Sequence, residues 1–445
     1  MDQIEAPRRS LTTFDVACLI VGTVLGAGIF KAPSIVAGQS GSGLGFLLVW
    51  LVGGFISIAG ALCYAELSTC YPNAGGEYGF LKHTFGRNLS FFYAWSRAAV
   101  IVTGSMAILA ITLGDYMAAI VPLGEHSNLI WASAAIIALT IINLSGIKQS
   151  KQIQNLLTVL EFLGVLAVVI AGFSVQGHDS HWAQLMSTRE GTTNFGLAMV
   201  FVLLTYGGWN EAAYLSAEAK DARRGITRAL ILGLGLVMVL YLLANLAYLG
   251  ALGLDGTAHS SAVAFDVFTQ AFGKESAILF STIVIFSCLN SLNATIVFGA
   301  RGHYALGRDF RVFSWLGKWH VSGQPRQAIL AQSLIAIALV GVAAWTRQGF
   351  QTLVEFTAPV FWFFISLVGV SLILRRQREP DLVRPFQVPL YPLVPLIFIA
   401  STTWLFWSSL MYAGIGAWIG VAVLASGLIP LGINQMQLRK QAALS

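Results

Sequence analysis

Apolar runs of some twenty residues, punctuated by short polar or Gly/Pro-rich stretches, recur along the whole chain. Each is long enough, at about 1.5 Å per residue, to carry a helix across a hydrocarbon core of about 30 Å. The punctuation predicts helices at 14–38, 45–68, 88–121, 128–147, 153–175, 194–219, 226–252, 275–306, 325–345, 350–376, 391–412 and 414–434. The fold class is therefore all-α integral membrane, with about twelve transmembrane helices. The first run starts near Phe14, extends past signal-peptide length and lacks an A-x-A cleavage site, so it is expected to stay as a first span.

Composition agrees with the pattern. The 445 residues are 56% hydrophobic and 10% charged, with a mean hydropathy of +0.73, whereas soluble domains carry about a quarter charged residues. The net charge of +6 acts as an orientation signal, not a nucleic-acid footprint, because basic residues concentrate in cytoplasmic loops. An even number of spans leaves both termini on one side. All but four of the 26 lysines and arginines (Lys31, Arg189, Lys274 and Arg347) fall on that side, which predicts cytoplasmic termini. The expected home is the plasma (inner) membrane. Cys18, Cys63, Cys70 and Cys288 lie in apolar stretches or beside their inner ends, so they are expected to pack and not to form a disulfide framework.

The first span contains Gly22-Thr23-Val24-Leu25-Gly26-Ala27-Gly28-Ile29-Phe30, with two glycines at mid-membrane where each costs helix stability. Close helix packing would compensate. So would a broken helix, whose second half offers amides at a positive dipole end to a carboxylate. The sixth span carries a matching irregularity, Thr205-Tyr206-Gly207-Gly208-Trp209-Asn210. Spans one to five and six to ten then form two five-helix halves, each opening on a Gly-interrupted helix, the mark of an inverted repeat with a midplane site. The chain divides accordingly into a cytoplasmic N-terminus at 1–13, repeats at 14–175 and 194–376, two further helices at 391–434 and a cytoplasmic C-terminus at 435–445. Carbonyls around Thr23 and Tyr206 could hold an ammonium while the amides of Ala27 to Ile29 hold a carboxylate. Such a pair suits a zwitterion, and amino acids are the obvious ones.

These motifs, with Gly60-Ala61-Leu62-Cys63-Tyr64-Ala65-Glu66-Leu67, Gly75-Gly76-Glu77-Tyr78, Ser291-Leu292-Asn293, Arg301, Gly307-Arg308-Asp309 and Arg384-Pro385-Phe386-Gln387-Val388-Pro389, resemble the L-type amino acid transporters of the amino acid/polyamine/organocation superfamily. The resemblance covers most of the chain. It implies a five-plus-five inverted repeat, alternating access, and substrate held by Thr23, Val24, Gly26, Ala27, Gly28, Ile29, Leu204, Tyr206, Gly207, Gly208, Trp209 and Asn210, with spans three and eight completing the pocket. Ala27 stands where the family often has serine, leaving only backbone amides for the carboxylate. Leu204 aligns with an aromatic that closes over the substrate in the family. Residues 121–128 lack the cysteine that ties animal members to a heavy subunit, so no disulfide-linked partner is expected.

Glu161 lies in the middle of the fifth span, about where several relatives have lysine. An ionisable group at that depth marks a proton or ion path, or else stays a neutral structural acid. Ser287 and Ser291 could add hydroxyls to a sodium site there, though hard cations usually need more oxygens. Glu66, Glu211, Glu218 and Asp115, toward span ends or past the break, suit caps or gate ion pairs. No Walker loop, metal-ligand spacing or nucleophile triad occurs, so no enzyme activity, metal or cofactor is expected. The expected partners are a small amino acid, the lipid bilayer and a possible coupling proton. The expected activity is secondary transport of neutral amino acids, as a proton-coupled symporter or an exchanger. A carrier of cationic amino acids or polyamines, or a non-transporting amino acid sensor, are the alternatives.

Overall fold

The computed structural model describes residues 21–22, 24–71, 76–145, 151–175, 193–211, 225–319, 324–344, 349–411 and 414–442. Thr23, the start of the first span, Glu218 and the end of the sixth span lie outside these residues. The helices, in chain order, are α1 (Ala32–Gln39), α2 (Gly43–Cys70), α3 (Gly76–Phe85), α4 (Arg87–Ser96), α5 (Val102–Ile120), α6 (Ser127–Leu144), α7 (Lys151–Ser174), α8 (Phe195–Thr205), α9 (Gly225–His259), α10 (Val263–Phe272), α11 (Lys274–Asp309), α12 (Arg326–Ala344), α13 (Gly349–Arg378), α14 (Leu393–Met411), α15 (Ile415–Ser426) and α16 (Leu428–Ala442).

Ten segments among the described residues are long and apolar enough to cross a membrane. With the shorter apolar helices they make an all-α membrane protein of about twelve helices, as the hydropathy pattern predicts. Spans two, four, five, eight, nine, ten and eleven begin and end within three residues of expectation. Three differences have local causes. The third span is α4 and α5 joined by a wide π-helical turn, Arg97–Ile101, in which the Val102 amide bonds to the Arg97 carbonyl. Gly253, at φ 68°, ends the straight part of α9 near the expected boundary and begins a further helical piece to His259. The ten-residue helices α3 and α10 span only about 15 Å, too little to cross the core, and a search for apolar runs of full span length passes over them.

The chain forms two compact units. The first comprises Met1–Phe80, Ser150–Ser287 and Ile365–Ser408. Here α9 is the hub, packing against α1, α2, α7 and α10, while α8 packs on α1 and α2. Small residues permit the close approaches: a Cβ added at Gly172 of α7 would lie 2.5 Å from Ala247 Cβ of α9. The second unit comprises Leu81–Gln149, Cys288–Phe364 and Ser409–Ser445. In it α5, α6 and α12 pack mutually and side-chain pairs fasten the helices. Thr140 Oγ1 donates to Ser333 Oγ at 2.7 Å, and Asn143 Nδ2 to Asn293 Oδ1 at 2.7 Å. At the α5–α6 corner Asp115 accepts from Asn128 Nδ2 at 3.0 Å.

Candidate functional site

Both glycine-rich interruptions end a regular helix in a 3₁₀ turn, and both lie in the first unit. In the first, helical geometry holds at Val21, Gly22 and Val24, and the Leu25 amide still bonds to the Val21 carbonyl at 2.7 Å. The backbone then turns out at Gly26 (ψ 179°) into a short 3₁₀ turn, Ala27–Phe30. The helix resumes as α1, whose first turn contains Pro33, a residue suited to a helix start. Breaking a helix in lipid strips carbonyls of their partners, at a cost of several kcal/mol each when left bare. Two tyrosines of α9 meet that need: Tyr241 Oη donates to Val24 O at 2.5 Å and Tyr248 Oη to Ile29 O at 3.3 Å.

The second interruption follows α8. Tyr206 N still reaches Val202 O at 2.9 Å and Gly207 N reaches Leu204 O at 3.1 Å. Gly208 then takes φ +102°, a region that only glycine enters without strain. Beyond it the chain enters the 3₁₀ turn Trp209–Glu211. Asn210 Oδ1 accepts from Gly208 N at 3.3 Å, and its Nδ2 donates to Glu77 Oε1 at 2.9 Å. The same Glu77 oxygen accepts from Tyr64 Oη at 3.1 Å. Asn210 is therefore a strut for the turn.

The two breaks touch. A Cβ added at Gly28 would lie 2.9 Å from Thr205 Cγ2 and 3.3 Å from Thr205 Cα. Around them the large side chains turn inward. Tyr206 packs with Trp50 and Tyr241, ring centroids 6.0 and 5.0 Å away. Trp209 lies edge-on to Tyr64 and Phe398, above Gly60, where a Cβ would lie 2.5 Å from its ring. Val24, Ile29, Tyr206, Trp209 and Asn210 are buried, while Gly26, Gly28, Leu204, Gly207 and Gly208 keep partial exposure. What the breaks leave open is thus mostly backbone. Of the twelve residues expected to hold substrate, Thr23 and the Ala27 side chain lie outside the description.

Glu161 of α7 is 2% exposed and accepts from Ser287 Oγ at 3.0 Å. Its helix leans on the first span one turn away: a Cβ at Gly22 would lie 2.3 Å from Thr158 Oγ1. Ser291, the other hydroxyl expected near Glu161, falls in the second unit, where its carbonyl accepts from Thr295 Oγ1 at 2.8 Å.

The sequence motifs also meet in pairs. Glu66, from the α2 motif, is 1% exposed and receives a two-pronged bond from Arg376, at 2.7 and 2.5 Å. It also accepts from Val388 N at 2.7 Å, with Arg384 Nε at 3.6 Å. The Arg384–Pro389 motif therefore closes on the same carboxylate, and Glu66 is an ion-pair anchor of the kind expected. Tyr241 and Tyr248 were missed by the sequence reading. The available signal was a polar stripe on an apolar helix, Tyr241, Asn245 and Tyr248 at spacings of four and three. Among the described residues no group of three His, Cys, Asp or Glu side chains could hold a metal ion.

Comparison with known proteins adds one family and several relatives. A family model described as amino acid permease matches residues 11–429. The chain is 29% identical over 401 residues to the b(0,+)-type amino acid transporter 1 of Mus musculus, covering 87% of this chain and 80% of that protein. It is 28% identical over 426 residues to the large neutral amino acids transporter small subunit 2 of Homo sapiens, covering 93% and 78%. It is 26% identical over 430 residues to the human cystine/glutamate transporter, covering 95% and 84%.

Proposed function

Since the chain belongs to the amino acid permease family, we propose that it is a secondary transporter of neutral amino acids, working by alternating access in the plasma membrane with both termini in the cytoplasm. The family makes it an integral membrane carrier of amino acids and not an enzyme. The observation that carries the finer reading is the contact between the two breaks at Gly28 and Thr205. An α-amino acid carries its two charged groups on one carbon, so its receptors must lie within a few ångströms of each other.

The amides opening the 3₁₀ turn at Ala27 to Ile29 receive the carboxylate, favoured by the partial positive charge of a helix start. Backbone carbonyls at Tyr206 and beyond, where the second helix has unwound, receive the ammonium. Leu204 faces the bound molecule with an aliphatic surface. No fixed carboxylate belongs to this set, which favours uncharged side chains over cationic ones. Glu161, buried and bonded to Ser287, is the coupling carboxylate, taking up a proton as substrate enters. The asymmetry of lysine and arginine across the spans supports cytoplasmic termini.

Uptake of a labelled neutral amino acid mixture into proteoliposomes tests the reading. Saturable uptake, stimulated by an inward proton gradient and competed by unlabelled neutral amino acids, is expected. Arginine or putrescine competing at lower concentration than leucine overturns the substrate class, and binding without flux makes the protein a sensor.

A further inference from the structure

His303 of α11 is 2% exposed and plays no part in the site described above. Both of its ring nitrogens face carbonyl oxygens. Nδ1 lies 2.7 Å from Gly299 O, one turn back on its own helix, and Nε2 lies 3.1 Å from Ala98 O on the third span. A neutral imidazole carries one N–H, so it can serve only one of these acceptors while the lone pair of the other nitrogen confronts the second oxygen. Only the imidazolium donates to both.

The second acceptor has a structural origin. Ala98 sits in the wide turn Arg97–Ile101, where the Val102 amide bonds to Arg97 O instead of to Ala98 O, the partner it would have in an α-helix. The shift of one residue withdraws from Ala98 O its ordinary helical donor, and His303 Nε2 comes into that place. Another acceptor lies close by. Gln332 of α12 donates through Nε2 to Ile296 O at 2.7 Å, while its buried Oε1 has no partner. A Cβ at Gly299 would lie 2.6 Å from that oxygen. The backbone and amide oxygens around the ring thus present acceptors to it.

We infer that His303 is a proton-binding site that fastens the wide turn of the third span to α11. Charge balance makes this site sensitive to its neighbours. From the third span Arg97 faces it, with Nε 3.6 Å from where a Gly302 Cβ would be, and this cation bears on the imidazole. On α11 itself Arg301 is exposed beside Phe298, and Tyr304 packs against Trp319. From α12 comes the uncharged Gln332, and Arg326 at the start of that helix turns to Leu144 O at 3.4 Å. Burial first, and Arg97 after it, therefore oppose the proton that the carbonyls attract, a combination that suits reversible occupancy.

The test is nitrogen NMR of the full chain, labelled at its seven histidines, in lipid bilayers from pH 5 to 8. One imidazole is expected to show both nitrogens protonated at the acidic end and to lose one proton with a single midpoint. That signal is absent in His303→Gln. In Arg97→Gln its midpoint moves to higher pH, because removing a nearby cation favours the charged ring. The second variant identifies the signal even where the first does not fold. A His303 that stays in one neutral form throughout, or a midpoint unmoved by Arg97→Gln, overturns the inference.

Discussion

Replacing Gly28 with alanine probes the meeting of the two breaks with a single methyl group. The added carbon would lie 2.9 Å from Thr205 Cγ2, 3.2 Å from Oγ1 and 3.3 Å from Cα, all inside comfortable van der Waals distance. Thr205 cannot swing away freely, because it is β-branched and its hydroxyl is bonded to Phe201 O at 2.8 Å. The breaks must separate by several tenths of an ångström. Overpacking of this kind costs about 1–3 kcal/mol. If that strain falls on the substrate-bound arrangement, apparent affinity drops by about 5- to 150-fold. Equilibrium binding of a labelled neutral amino acid to purified protein measures the loss, with thermal unfolding as the check on fold. The control is Thr205→Ser, which removes the nearest clashing carbon and keeps the hydroxyl. The double variant Gly28→Ala/Thr205→Ser is expected to regain at least half of the lost free energy. Native affinity in Gly28→Ala, or a double variant no better than the single, would falsify the claim that this contact sets the spacing of the site.

Three other outcomes follow from the same geometry. Tyr241→Phe strips the Val24 carbonyl of its donor and should cost about 1–3 kcal/mol; a thermal midpoint and binding constant both equal to native would remove Tyr241 from the site. Glu66→Ala leaves Arg376 and Arg384 without their buried carboxylate and should destabilise by about 3–5 kcal/mol, whereas a change under 1 kcal/mol in denaturant unfolding would mean that the anchor is dispensable. Glu161→Gln keeps the bond from Ser287 but cannot cycle a proton, so gradient-driven uptake should vanish while amino acid exchange continues. Equal uptake with and without the gradient in the native chain would return Glu161 to a structural role.

Much of the architecture is written in local pattern. Full-length spans announce themselves because a helix in lipid must be apolar over its whole crossing, and the breaks because Gly26, Gly28, Gly207 and Gly208 interrupt otherwise apolar helices. Features that depend on distant parts of the chain leave a weaker trace. The Asn210–Glu77 strut and the bonds from Tyr241 and Tyr248 join residues 133, 217 and 219 positions apart, and a tyrosine in an apolar helix looks the same whether or not it has such a partner. The wide turn at Arg97–Ile101 contains neither glycine nor proline, so no residue in it signals the extra width. The role of His303 leaves no trace in the sequence because its two acceptors are backbone oxygens, which have no letter there.

The tyrosine bonds to the first break also bear on how the protein is made. Val24 O and Ile29 O wait for donors that are translated 217 and 219 residues later, which at ~5–20 residues per second is a delay of about 10–40 s. For that interval the tyrosine donors are missing, and the two carbonyls fall to the amides of their own segment, wound as an unbroken helix, or to water. Lipid offers no donors, so the broken form is stable in the bilayer only once α9 has arrived. A ribosome stalled before Tyr241 would therefore hold a first span without the two donors that fix its break.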